Sequence, residues 1–202
     1  MSPTDILWDL PITLILFGII MFTVFLTKRL KNVWVNRKFI HLSSAPAVLA
    51  YMYVLKEPYI FFSFAVFFTL LLLVPHLKSK ELSWFQVEHN FGEVFYCLSF
   101  GALSIAFWNL DKVLAGVVML FMAVGDSVTG MIRSRFVNER KKHWTGTVGM
   151  LLTCSVIGFS TFGIRGIVYA LVATVSEYQP WVDDNLSVPL MTALASFIVP
   201  AW

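Results

Sequence analysis

Charged residues are scarce in this sequence of 202 residues. Only 13% of the residues are charged, whereas 58% are hydrophobic and 16% are aromatic. This balance excludes an ordinary soluble domain, in which about a quarter of the residues carry a charge. The chain leaves no room for a separate soluble domain. We therefore expect one all-α, polytopic integral membrane domain over residues 1–202.

Cysteine and histidine are also too few to build a disulfide framework or a zinc site. The two cysteines, Cys97 and Cys154, both lie in apolar runs without the spacing of a framework, so we expect small core residues. The four histidines form no HExxH motif and no His-rich tract. The sequence likewise contains no GxxxxGK[ST] loop and no protein-kinase signature set, which excludes the common nucleotide sites.

Apolar runs divide the chain into predicted transmembrane helices. A helix that rises about 1.5 Å per residue needs about 20 residues to cross a hydrocarbon core of about 30 Å. We predict eight spans, with seven as the alternative count because the seventh is short. They cover residues 11–27, 39–55, 59–74, 93–108, 113–132, 148–163, 164–174 and 188–202.

Basic residues are unevenly distributed between the predicted loops. Twelve of the fifteen Lys and Arg residues follow the first, third and fifth spans, which places them on one side of the membrane if the spans alternate. The positive-inside rule makes this the cytoplasmic side of a plasma or ER-like membrane and leaves the N-terminus outside. Basic residues follow the first apolar run instead of preceding it, so we expect a retained span and not a cleavable signal peptide.

One stretch inside the fifth span carries the most informative polar residue. The sequence Gly125-Asp126-Ser127-Val128-Thr129-Gly130 places a carboxylate near the end of a membrane-length helix. Such a carboxylate costs several kcal/mol if it faces lipid, so it usually has a partner or a function. It favours a metal- or phosphate-handling site at the membrane surface, and the alternative is a packing Asp paired with a nearby Arg.

Other charged residues expected on the same face match the needs of a nucleoside triphosphate and its Mg²⁺. The metal needs carboxylates, and the candidate ligands are Asp126, Asp183 and Asp184. The phosphates need cationic donors, and the candidates are Arg37, Lys38, Arg133 and Lys142. Gly125 and Gly130 would let backbone and phosphate approach closely. Because the site lies at the bilayer surface, the acceptor would be a lipid.

Four segments together resemble elements of the CTP-dependent polyprenol kinases, the group that contains dolichol kinase and phytol kinase. In chain order they are RKFIH at 37–41, VGDSVT at 124–129, KHWTGT at 142–147 and PWVDDNLSVP at 180–189. The resemblance implies transfer of the γ-phosphate of CTP to the hydroxyl of an isoprenoid alcohol, such as a polyprenol, dolichol, phytol or geranylgeraniol. It also implies catalytic roles for Asp126, His41 and Asp184, and adds Gly146, Thr147 and Asn185 to the nucleotide-binding candidates.

The resemblance has departures, and other functions stay open beside it. Thr145 stands where the family usually has Glu, which removes one carboxylate from the expected metal site. Related activities are a CTP-dependent diacylglycerol kinase and a phosphatidate cytidylyltransferase. A small transporter or a lipid-binding scaffold is the alternative of another class.

The expected partners follow from this reading. They are CTP, the alcohol and the bilayer; we expect no nucleic acid and leave a homo-oligomer open. The phenylalanines of the third span, within 61–68, are expected to face lipid and not to line a prenyl groove.

Overall fold

The computed structural model describes residues 3–30, 32–136 and 142–199, and over these ranges the chain is helical, as predicted. Lys31, Arg140 and Lys141, which are three of the twelve basic residues counted above, and the end of the predicted eighth span lie outside the described residues. The elements are α1 (Pro3–Thr27), α2 (Val33–Ser43), α3 (Ala45–Tyr53), α4 (Tyr59–Leu77), α5 (Gly92–Ala106), α6 (Trp108–Leu120), a π-helical turn (Phe121–Gly125), α7 (Asp126–Phe136), α8 (Trp144–Phe162), α9 (Ile164–Tyr178) and α10 (Asp184–Ile198).

Within the described ranges, four helical stretches are long and apolar enough to cross a membrane. They are Thr4–Thr27, Tyr59–Leu77, Trp108–Phe136 and Trp144–Phe162, and Gly92–Ala106 is a shorter apolar helix. The count of about eight spans stays a prediction. The second predicted span is divided into α2 and α3 at Ser44, because Pro46 lies in the first turn of α3, where its missing N–H does no harm.

The continuous stretch from α6 through the π-helical turn to α7 forms the centre of the bundle. Val117, Val118, Met119 and Phe121 on this stretch are fully buried. By contrast, few residues of α1 and α4 are buried, and large apolar side chains such as Leu14 and Phe67 face outward. A buried central stretch that carries a carboxylate, Asp126, and is surrounded by outward-facing apolar helices is the arrangement expected in lipid, where charged groups are costly unless they point inward.

Polar side chains gather at the two ends of the bundle. At one end, the buried carboxylate of Asp9 accepts hydrogen bonds from the amides of Lys56 and Glu57, and the ammonium of Lys112 donates to the carbonyl oxygen of Leu55. Asp126 follows Lys112 by fourteen residues, which is about 21 Å along a helix. Asp126 therefore belongs to the other end, where the predicted cytoplasmic residues meet.

Helices α8 and α9 form a tight hairpin. Gly163, with a φ of +58°, lies in the left-handed region that glycine adopts without strain and forms the turn. Gly158 and Gly166 face each other across the hairpin so closely that a β-carbon on either would overlap the backbone of the other. Small residues let helix backbones approach in this way, and the contact fixes α9, with Glu177 near its C-terminal end, against α8.

Candidate active site

Asp126 lies where the helical geometry of the central stretch changes. The π-helical turn Phe121–Gly125 ends directly before it, and such turns often accompany functional sites. The side chain of Asp126 is buried. Ser127 is fixed beside it, because its hydroxyl donates to the carbonyl oxygens of Ala123 and Lys38, at 2.6 and 2.9 Å. These bonds join the start of α7 to α2.

Helix α2 supplies two of the predicted site residues to Asp126. The ammonium of Lys38 lies 2.5 Å from Asp126 Oδ2, and His41 Nδ1 lies 3.6 Å from the same oxygen. The two residues are three apart and so lie on one helix face. The ring of His41 stacks on Tyr96, with centroids 4.0 Å apart, and neither ring nitrogen has a hydrogen-bond partner among the described residues. A buried imidazole held in this way is available to a ligand.

A second group of charges, around Glu177 of α9, adjoins Asp126. Glu177 Oε1 is 2.7 Å from Arg133 Nη2 and 3.1 Å from Lys142 Nζ, and Lys142 also donates to the backbone carbonyl of Glu177. Lys142 Nζ is in turn 3.3 Å from Asp184 Oδ2. Glu177 is fully buried, whereas Lys142 is partly exposed. The group therefore runs from the interior to the surface.

Asp126, Glu177 and Asp184 could together hold a metal ion. Each offers one carboxylate oxygen, and these oxygens lie within 4.8 Å of one another. Oxygen ligands of this kind suit Mg²⁺. Two buried atoms support the fit, because Glu177 Oε2 and Arg133 Nε have no hydrogen-bond partner among the described residues. Buried polar atoms normally have hydrogen-bond partners. An unpaired carboxylate oxygen fits a bound cation, and an unpaired guanidinium N–H fits a bound anion.

Three glycines make room for the basic side chains of this end. A β-carbon on Gly130 would overlap the aliphatic part of Lys38. One on Gly146 would lie 2.5 Å from Arg133 Nε, and one on Gly92 would lie 2.8 Å from Arg37 Nη2. Gly125 differs, because it faces α8, where a β-carbon would lie 2.5 Å from Cys154 Sγ. The contacts of Gly125 are thus helix packing and not the close phosphate approach that we expected.

The remaining candidates from the sequence lie around α10 and the start of α8. Asp183 is the N-cap of α10; its Oδ1 accepts from the amide and the side chain of Asn185, at 3.0 and 2.9 Å. It stands outside the metal-capable group found among the described residues, which has Glu177 in its place. The Thr147 hydroxyl contacts the His143 carbonyl oxygen at 3.4 Å in the first turn of α8.

Arg37 belongs to a neighbouring buried network and not to the group around Asp126. Its guanidinium lies 3.2 Å from Glu93 Oε2 and donates to Asn90 Oδ1 at 2.9 Å. Glu93 Oε1 is 2.7 Å from His76 Nε2 and also accepts from Gln86. This network joins the end of α4, the 78–91 loop and the start of α5. Its observed contacts are structural, although Arg37 stays close to Asn185 across Gly92.

An apolar cavity of about 330 Å³ lies beside the charged groups, between α1, α2, α3, α4 and α5. His41 and Tyr96 are part of its wall at the site end. Phe61, Phe64 and Phe68 also line it, whereas Phe62 and Phe67 are exposed. The expectation that the phenylalanines of α4 face lipid was therefore wrong for Phe61, Phe64 and Phe68. The volume lies within the range of about 300–1,000 Å³ that small-molecule pockets span.

Sequence reasoning missed Glu177 as a site residue. The predicted seventh span ended at residue 174, which left Glu177 in an acidic loop, but α9 continues to Tyr178. Glu177 therefore lies in the last turn of a helix, pointing inward. A signal was present, since an acidic residue at the end of an amphipathic apolar helix needs a buried partner.

The fold and the site define an all-helical membrane protein with a buried, charge-paired centre at one end, where three carboxylates could hold a metal ion. Its sequence is 32% identical, over 143 residues, to a phytol kinase of Synechocystis sp., covering 62% of this chain and 59% of that protein. It is 28% identical to a probable chloroplastic phytol kinase 2 of Glycine max (63% of this chain, 54% of that one) and 25% identical to a chloroplastic farnesol kinase of Arabidopsis thaliana (54% and 42%).

These similarities confirm the resemblance to the polyprenol kinase family, and the chain is a relative of its phytol and farnesol kinases. The chain spans between 42% and 59% of the curated relatives it matches. No family model and no solved structure matches it.

Proposed function

We propose that this protein is a membrane lipid kinase that transfers the γ-phosphate of CTP to the hydroxyl of an isoprenoid alcohol. The observation that carries the proposal is the meeting of two environments at His41. One is the group of three carboxylates and three cations around Asp126, and the other is the apolar cavity. The relatives that are named phytol and farnesol kinase support an alcohol of this class.

The charged residues would exchange their ion pairs for contacts with the nucleotide. Asp126, Glu177 and Asp184 would hold Mg²⁺, which neutralises phosphate charge and aligns the phosphate oxygens when it is bound. Lys38, Arg133 and Lys142 now neutralise these carboxylates. Once a cation takes that role, the three side chains are free to bind phosphate oxygens, which Arg and Lys do by charge and hydrogen bonding.

His41 is placed to contact the alcohol. Its ring borders the cavity and lies 3.6 Å from Asp126, so a hydroxyl at the cavity end reaches both the imidazole and the metal-capable group. The hydroxyl oxygen forms a bond to the γ-phosphorus while the bond from that phosphorus to the bridging oxygen breaks. The nucleoside diphosphate leaves, and the hydroxyl proton passes to His41 or Asp126. We infer from the basic residues of the predicted loops that this end faces the cytoplasm.

Phosphate transfer by the purified protein in detergent tests the proposal. We would supply γ-labelled CTP, ATP, GTP or UTP with Mg²⁺ and offer geraniol, farnesol, phytol, geranylgeraniol, a long polyprenol and diacylglycerol. We expect label in a prenyl phosphate, with CTP preferred. Label in phosphatidate would assign a diacylglycerol kinase. In a separate reaction with phosphatidate in place of the alcohols, release of pyrophosphate from CTP would assign a cytidylyltransferase.

Two variants tie the transfer to the site. Asp126→Asn should reduce the rate by about 10²–10⁴-fold, the usual contribution of a group that handles the proton or the charge of the transition state. Asp111→Asn is the matched control, because Asp111 lies on the same continuous stretch near the other end and accepts from the Leu114 amide, a contact that Asn retains. Transfer by Asp126→Asn at the wild-type rate would exclude this site.

A further inference from the structure

The cavity beside His41 has the chemistry of a single-chain lipid site. Along α1 its wall extends from Thr13 to Val24, which is about 16 Å along a helix. Its lining contains no Lys or Arg. A phosphate head group would therefore find no cation inside it and would meet the buried carboxylate of Glu93, which is part of the wall. The lining favours a neutral, apolar occupant.

The hydrogen-bonding side chains in the cavity wall are few, and most of them already have partners. The hydroxyl groups of Ser44 and Tyr96 bond to each other at 2.7 Å, and the Thr13 hydroxyl bonds to the Asp9 carbonyl oxygen within α1. His41 is only 3% exposed, and its ring nitrogens have no hydrogen-bond partner among the described residues. An occupant with one polar group at one end would place that group at His41.

The far end of the cavity is filled by aromatic rings. Phe61 stacks with Phe100 at 6.5 Å between centroids and contacts the ring of Tyr51 at 5.1 Å. All three residues are buried. Phe100 packs on Tyr96 with 4.4 Å between centroids, so the rings continue inward from the site end, and Phe61 and Tyr51 follow in the core. A chain that enters with its hydroxyl at His41 therefore meets a floor of packed rings.

We propose that this cavity binds the isoprenoid chain of the alcohol, with the hydroxyl at His41, and that its aromatic floor limits the length of chain that the protein accepts. The inference rests on the proposed function for the identity of the hydroxyl-bearing occupant. About 16 Å is roughly half of the hydrocarbon thickness of a bilayer. Alcohols of the size of farnesol, phytol or geranylgeraniol are therefore enclosed better than a long polyprenol or dolichol.

Photo-crosslinking tests the cavity without any need for phosphate transfer. A farnesol analogue that carries a diazirine at the end of its chain would be irradiated with the whole protein in detergent. We expect adducts on Phe61, Phe64 or Phe100, competed by phytol but not by phosphatidylcholine. Adducts on the outward face of α4, at Phe67 or Leu70, or equal competition by the phospholipid, would overturn the proposal.

Filling the far end tests the limit on length. Leu16 lines the cavity on α1, whereas its neighbour Ile15 is 67% exposed on the outer face of the same helix. Leu16→Trp should weaken binding of geranylgeraniol by about tenfold or more and change binding of geraniol by less than about twofold, because only the longer chain reaches this level. Ile15→Trp should change neither. Equal losses for both alcohols in Leu16→Trp would overturn the proposal.

The two proposals fail in different ways. If no nucleotide phosphorylates any alcohol but the crosslinks and the dependence on length appear as expected, the proposed function is wrong and the cavity assignment holds. If prenyl phosphate is formed but the crosslinks lie on the lipid-facing surface, the kinase assignment holds and the cavity assignment is wrong.

Discussion

The side chain of Lys38 packs against the backbone of Gly130 on its way to the carboxylate of Asp126. A β-carbon at residue 130 would overlap the aliphatic part of Lys38, and the ammonium of Lys38 lies 2.5 Å from Asp126 Oδ2. Glycine at this position thus sets the distance between a predicted phosphate-binding cation and the carboxylate at the centre of the site. A larger residue than glycine at position 130 would displace the Lys38 side chain.

Gly130→Ala should therefore reduce phosphate transfer without unfolding the protein. The added methyl group displaces a flexible side chain, so the free energy of unfolding should change little. A hydrogen bond to a charged group contributes about 1.5–3 kcal/mol, so misplacing the Lys38 ammonium should reduce kcat/KM roughly 10–100-fold. The measurement is kcat/KM for CTP together with the Tm in detergent. Gly18→Ala is the control, since a β-carbon at Gly18 meets no atom within 4 Å. Equal activity of the two variants would contradict this account of Gly130.

Glu177→Gln should weaken the binding of divalent cations. The substitution keeps the shape of the side chain but removes the charge that faces Arg133 and Lys142. It also removes one of the three carboxylates of the metal-capable group, whose other members are Asp126 and Asp184. We expect the apparent affinity for Mn²⁺ to fall by about 10–100-fold or more, since even the partners of metal ligands contribute that much. The measurement is the rise of Tm with Mn²⁺ concentration, which reports binding by linkage.

The same substitution should destabilise the protein in the absence of metal. Removing one partner of a buried ion pair costs about 3–5 kcal/mol, because the other charge stays buried and unpaired. Here that charge is Arg133, while Lys142 can turn toward solvent. Glu88→Gln is the matched control, since the side chain of Glu88 is 78% exposed. A Tm and a Mn²⁺ response like those of Glu88→Gln would show that Glu177 has no such role.

Sequence alone could predict that four charged residues come together at one end of the bundle, because the predicted order of spans puts all of them at that end. They are Lys38, Asp126, Lys142 and Asp184. If the predicted spans alternate, the ends of the second, fifth and last of them come to one side of the membrane, and charged residues avoid lipid by pointing inward. The length of each helix could not be predicted with equal accuracy. Four additional residues of α9 moved Glu177 from an expected loop into the site.

The apolar cavity and the position of Arg37 could not be predicted because they depend on packing between elements distant in sequence. Phe61, Phe64 and Phe68 differ from Phe62 and Phe67 only in which way the helix faces, and a uniformly apolar sequence carries no sign of that face. Arg37 and Lys38 are adjacent in sequence but point to Glu93 and Asp126 respectively. The sequence alone therefore provides no means of dividing these basic residues between two networks.

Gly158→Ala and Gly166→Ala should each destabilise the hairpin of α8 and α9. A methyl group at either position would overlap backbone atoms, which cannot turn away as a side chain can. Overpacking of this kind typically costs about 1–3 kcal/mol. We would measure thermal unfolding in detergent, again with Gly18→Ala as the control. Since α9 carries Glu177, Mn²⁺ affinity should fall together with Tm; an unchanged Tm would contradict the observed contact.

Asp183→Asn and Asp184→Asn should separate two adjacent carboxylates that sequence reasoning had assigned alike. Asp183 Oδ1 accepts from the amide and the side chain of Asn185 as the N-cap of α10, and Asn caps helices as well as Asp does. We therefore expect Asp183→Asn to keep its stability and most of its activity. Asp184→Asn removes a carboxylate charge that faces Lys142 and belongs to the metal-capable group.

The measurements for this pair are kcat and the Mg²⁺ concentration that gives half of the maximal rate. For Asp184→Asn we expect that concentration to rise by about 10–100-fold, and for Asp183→Asn we expect less than a twofold change. Both variants remove one negative charge from the same helix N-terminus, so general effects on the helix dipole are equal in the two. Only direct participation in the site distinguishes them. A larger loss in Asp183→Asn than in Asp184→Asn would mean that the cation is bound by Asp183, on the other side of Asn185.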